Sequence, residues 1–145
     1  MKEKLLRSAG RLIPPEKKIA EEFSRICDEL VAKGNVTLSQ RDDLEKLIGK
    51  NNLPMAEDNN RNFARFMNAL FMEYSPEVFV ETVLWVFNAY RSHGFNPTYW
   101  AANLNIWLKN LENDISREAY AQIYPFYNWL IVNIPLFTKL TDRNE

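Results

Sequence analysis

Apolar residues recur three or four positions apart through most of the chain, the spacing that brings side chains onto one face of an α-helix. Over residues 15–33, Ile19, Phe23, Ile26, Cys27 and Leu30 form one such stripe. A short helix is predicted over 38–48, with Leu44, Leu47 and Ile48 apolar, and residues 49–58 read as a polar connection containing Pro54. The next helix covers 59–74, through Phe63, Phe66, Met67, Leu70 and Phe71. The segment 76–92 is apolar nearly all round (Val78, Phe79, Val80, Val83, Leu84, Trp85, Val86, Phe87, Tyr90), a pattern expected of a central helix covered on several sides. A fifth helix runs over 97–112 through Trp100, Leu104, Trp107, Leu108 and Leu111, and a sixth from Asp114 or Ser116 to Ile134. Strand alternation and internal repeats are lacking, so the pattern predicts an all-α fold of about six helices.

Local chemistry marks the helix ends. Gly34, Gly49 and Gly94 sit where helices are expected to stop, because glycine reaches positive φ without a Cβ clash. Pro15, Pro76 and Pro97 suit first turns, where the missing N–H has no partner to lose. Ser75-Pro76-Glu77 and Asn96-Pro97 pair a capping oxygen with a proline, and Thr37-Leu38-Ser39-Gln40 has the spacing of a capping box. Pro125 lies inside the last helical pattern and predicts a kink or break there.

A chain of 145 residues, 46% hydrophobic and 13% aromatic, is expected to form one domain, drawn here as an N-terminal extension over 1–14 and an all-α body over 15–142. Lys and Arg number 18 against 19 Asp and Glu, which argues against a nucleic-acid partner. The charged start Met1–Arg7 is not followed by a signal-peptide core, and the single Cys suits a reducing compartment, so a cytoplasmic location is expected. Residues 119–138 carry no charge, but Gln122, Asn128, Asn133, Pro125 and Pro135 favour a buried helix over a membrane-associated one, which stays as an alternative. The extension places Leu5, Leu6, Leu12 and Ile13 among four basic residues, either packing on the body or forming an arm for a partner or anionic lipid.

Catalytic groups are scarce. Cys27 and His93 are the only residues of their kinds, and Cys27 shares the apolar stripe of Phe23 and Leu30, where burial keeps a thiol neutral. Glu21-Glu22, Asp42-Asp43 and Glu57-Asp58 are adjacent in sequence and point to different sides of a helix, which suits surface charge better than a paired-carboxylate site. We therefore expect no enzyme, no catalytic residue and no metal site. The aromatics are concentrated in the last three predicted helices. Trp100, Trp107, Tyr127 and Trp129 are candidate interface residues for a protein partner or a second copy, with an aromatic core as the alternative, since Tyr and Trp anchor interfaces as well as fill interiors.

The segment Trp85–Leu108, WVFNAYRSHGFNPTYWAANLNIWL, carries a family resemblance. A helix ends, glycine and an aromatic make the corner, and a second long helix starts at Asn-Pro. This resembles the junction between the penultimate two core helices of a globin, with 59–74 as the long helix before it and 115–134 as the C-terminal helix. Haem-binding globins place a proximal histidine four residues ahead of the corner glycine, where this chain has Tyr90; His93 stands immediately before Gly94. The chain is thus more similar to non-haem bacterial sensor globins. That resemblance implies a sensing or docking module without chemistry, dimerisation through the last two helices involving Trp107 and Tyr127, and a pocket beside helix 76–92 near Tyr90. Trp85, Tyr90 and His93 are the candidate ligand-binding residues. The alternative is a sensor binding a small apolar ligand or haem, with His93 or Tyr90 on the iron; otherwise no cofactor is expected.

Overall fold

The computed structural model describes residues 1–142. These form eight helices and no strand: α1 (Lys2–Ala9), α2 (Lys17–Ser39), α3 (Leu44–Ile48), α4 (Leu53–Met72), α5 (Pro76–Ser92), α6 (Thr98–Asp114), α7 (Arg117–Val132) and α8 (Ile134–Leu140). The all-α expectation holds, and two more helices are present than the pattern predicted.

The extra helices lie at the two ends. Residues 2–9 form a helix that packs on the body: Leu5 and Ala9 are fully buried, Trp129 Nε1 donates to Ser8 Oγ at 2.8 Å, and the Tyr74 hydroxyl donates to the Ala9 carbonyl at 2.6 Å. At the other end the last helical pattern divides at Asn133, and Pro135 enters the first turn of α8. Pro125 does not break α7. Pro125 and Ala121 are both exposed, so the carbonyl that loses its partner faces water.

Two predicted boundaries move. α2 runs through Gly34 and the Thr37–Gln40 motif, because Val31, Gly34 and Leu38 continue its buried stripe. The Thr37 hydroxyl bonds back to the Lys33 carbonyl at 3.1 Å rather than capping a new helix. Residues 53–58 belong to α4, with Pro54 in its first turn, and this turns Asn59 and Asn60 inward. Other marks stand as predicted: Ser75 caps α5 through the Val78 amide, Ser116 caps α7 through the Ala119 amide, and Gly49 and Gly94 adopt φ of 84° and 94° at chain reversals.

The central helix is α2, packed against α4, α6 and α7, and not α5 as the sequence suggested. Between these helices lies an aromatic core in which Phe71 and Phe126 meet edge to face at 5.2 Å and Phe63 meets Trp107 at 5.4 Å. A smaller cluster of Leu38, Leu47, Ile48, Phe95 and Tyr99 seats α3 against α6. α5 makes its principal contacts with α1 and α8, and only Phe79, Val80 and Phe87 are buried along it. No helix among the described residues is long and apolar enough to cross a membrane.

Gly34 is a helix-interior glycine without a steric reason to be one. A Cβ there would meet Ile106 Cγ2 at 3.9 Å and Asn60 Nδ2 at 4.0 Å, both ordinary contacts. Gly34→Ala should therefore stabilise the fold by roughly 0.5–1 kcal/mol by removing the backbone entropy cost of glycine. A urea melt with an unchanged or lowered midpoint would show the helix crossing to be tighter than this.

Candidate functional site

The all-round apolar character of α5 has an explanation other than central burial. α1 holds its first half, with Lys2 paired to Glu81. Its last turn is held by α8: Arg91 Nη1 donates to the Thr138 carbonyl at 2.9 Å, and Phe87 meets Phe137 at 5.7 Å. Between these attachments its inner face lines a cavity of about 290 Å³. Phe63 and Phe66 of α4, Val83, Val86 and Phe87 of α5, Trp100 and Leu104 of α6, Leu130 of α7, and Ile134 and Phe137 of α8 form its apolar wall. Asn59, Asn62, Thr82, Tyr90 and Asn103 add polar groups, and no charged residue lines it.

Asparagines join the cavity wall to the core behind it. Asn60 is fully buried: its Oδ1 accepts from Trp107 Nε1 at 3.0 Å and from Asn103 Nδ2 at 2.8 Å, while its Nδ2 donates to Asn35 Oδ1 at 2.7 Å. Asn59 Nδ2 donates to the Tyr99 hydroxyl at 2.8 Å. Burial pushes the Tyr99 phenol well above its ordinary range, with the Asn59 bond opposing in part, so this network is neutral at any physiological pH. Periodicity alone does not single out these asparagines as polar anchors. A signal was present nonetheless: Asn60 stands in register with Ala64, Met67 and Phe71 on the buried stripe of α4, and Asn103 lies one turn before Trp107.

The structure divides the predicted site residues. Trp85 and Tyr90 line the cavity beside α5. Trp85 is 70% exposed and forms part of the rim. Tyr90 packs edge to face on Phe95 at 5.0 Å and on Trp100 at 5.8 Å. His93 is not a cavity residue: it is exposed at the C-cap of α5, and its carbonyl accepts from Asn52 Nδ2 at 3.0 Å. Of the interface candidates, Trp100 is a cavity wall stacked on Phe87 at 5.1 Å. Trp107, Tyr127 and Trp129 are 1%, 0% and 5% exposed. As placed they offer a partner no surface, because α2, α4 and α1 cover the faces on which they lie.

The cavity wall does not suit haem. His93 lies off the cavity, and the facing wall of α4 presents Phe63 and Phe66. Burial, with the charge of Asp58, raises the Tyr90 phenol, the opposite of what a tyrosinate ligand needs. Nor are nucleophilic groups assembled. Cys27 is buried in α2 with its Sγ 3.6 Å from the Ala64 carbonyl, and burial pushes its thiol up to about 11, with Asp28 adding to the effect. The acidic pairs serve the surface: Asp43 pairs with Arg41, Asp58 with Arg61, and Glu22 accepts from the amide and hydroxyl of Ser116 at the start of α7. No group of three potential metal ligands occurs among the described residues. Comparison with family models, with curated proteins and with solved structures returns no match to the chain.

Proposed function

We propose that this protein is a non-enzymatic sensing module that binds a small apolar ligand in the cavity between α4, α5, α6 and the α7–α8 turn. The observation that carries the reading is the cavity: about 290 Å³, walled by aliphatic and aromatic side chains with a few polar groups among them, the usual composition of a small-molecule site. We extend the proposal to a globin-like arrangement of α4 to α7. Its support is the Gly94–Phe95 corner between α5 and α6 and the position of the cavity beside Tyr90, where the resemblance puts one. Ligand binding takes precedence over self-association because Trp107, Tyr127 and Trp129 are committed to the interior.

Benzene is a suitable probe, since an apolar cavity of ~150 Å³ suffices to hold it. In methyl NMR spectra, saturable shifts are expected at Val83, Val86, Leu104, Leu130 and Ile134, with other methyls unmoved. Val86→Trp, which fills the cavity from α5, should weaken binding at least tenfold while the rest of the spectrum persists. Absence of a saturable shift in the wild type would overturn the reading.

A further inference from the structure

We infer that the ligand of this cavity is an uncharged amphiphile, an alcohol or amide on a compact apolar body, whose O–H or N–H is accepted by Asn103 Oδ1. The inference rests on the ligand-binding reading above and specifies its chemistry. Asn103 is 2% exposed and lies on the cavity wall. The orientation of its amide follows from its neighbours. An indole N–H can only donate, so Trp107 fixes an oxygen of Asn60 at the junction. Asn103 must then present its Nδ2 to that same oxygen, 2.8 Å away. Its Oδ1 is left buried with no hydrogen-bond partner. Most buried polar atoms have a partner, and Asn103 belongs to the cavity wall, so its lone acceptor, closed off in the empty cavity, is the group that a ligand donor would satisfy by displacing the wall around it.

The other properties of the ligand follow from the same wall. No Lys, Arg, Asp or Glu lines the cavity, so a carboxylate or ammonium would be desolvated there without a counter-ion. An amide nitrogen only donates, so Asn59 Nδ2, which donates to the Tyr99 hydroxyl, is no alternative acceptor for the ligand. The volume, about 290 Å³, is roughly twice what one benzene ring occupies in an engineered cavity, which leaves space for a ring with a short chain or an alkyl chain of medium length.

The isomers 1-heptanol and methyl hexyl ether share composition and differ in the donor, and heptanoate supplies the charged counterpart. By calorimetry with the full chain, 1-heptanol should bind at least tenfold more tightly than the ether, and heptanoate at pH 7 at least tenfold more weakly than the alcohol. Asn103→Leu should bring the alcohol down to the affinity of the ether and leave the ether within about twofold of its wild-type value. If that variant does not fold, the wild-type Asn103 Cγ resonance decides: it should shift on saturation with the alcohol and not with the ether. Equal binding of the two isomers, or an alcohol preference that survives Asn103→Leu, overturns the inference and leaves ligand binding intact. Binding of benzene without binding of either isomer has the same meaning. Failure of benzene and both isomers together overturns both.

Discussion

Replacing Asn60 with alanine should lower the stability of the fold by about 3–5 kcal/mol, more than is usual for loss of a polar side chain. Asn60 is fully buried and, from its place on α4, bonds to α2 through Asn35 and to α6 through Asn103 and Trp107. Alanine removes three hydrogen bonds and leaves the Trp107 indole N–H and an Asn103 N–H facing a dry interior. Each donor stranded in this way costs roughly 1–3 kcal/mol, and the void left by the amide adds to it. Urea unfolding should show a lower midpoint with an unchanged slope, since the surface exposed on unfolding hardly differs. Asn35→Ala makes the comparison informative. It removes only the half-buried end of the chain of amides, and it should cost about 1 kcal/mol or less. Equal losses for the two variants would show that Asn60 acts as one more packed residue and not as the junction of three helices.

That junction also shows what the sequence could and could not disclose. Helices α5, α6 and α7 are legible because their stop and start signals are local: Ser75 and Ser116 supply capping oxygens within three residues of the amides they accept from, and Gly94 takes a φ that a side chain would oppose. The end of α2 lies beyond its predicted place because a Thr-x-x-Gln spacing and a glycine are local hints, while burial of Leu38 against the α3–α6 cluster is a tertiary gain that overrides them. The place of α5 is hidden from the sequence for a related reason. Apolar residues all round a helix state that several faces avoid water, and they do not distinguish a helix enclosed by others from one whose inner face lines a cavity. Trp100 and Trp107 illustrate the same limit. They lie two turns apart on one face of α6, yet one walls the cavity and the other donates to Asn60 in the core. Spacing assigns residues to a face, and only the neighbours opposite decide what the face does.

Leu5→Ala should destabilise the protein by about 2–4 kcal/mol, the usual cost of truncating a fully buried leucine, and the loss should fall unevenly on the structure. α1 is a principal support of α5, and Leu5 is its principal buried side chain. The polar contacts that accompany it, Trp129 to Ser8 and Tyr74 to the Ala9 carbonyl, depend on α1 remaining seated. Burial pushes the Tyr74 phenol up to about 12, so it remains a donor to that carbonyl throughout the neutral range. With this support loosened, α5 keeps its attachment to α8 through Arg91 and Phe87 and the packing of Phe79 on Phe126 and Trp129, and its first half loses the part of its restraint that α1 supplies. Local opening of α5 should then become easier than global unfolding. By hydrogen exchange, amides from Val80 to Phe87 should lose protection by a larger factor than those of α2, which is held by α4, α6 and α7 independently of α1. Because the same stretch of α5 forms one wall of the cavity, the affinity for benzene should fall with it. Uniform loss of protection in α2 and α5 would mean that the two helices open only together, and the wall beside Tyr90 would then be as rigid as the core behind it.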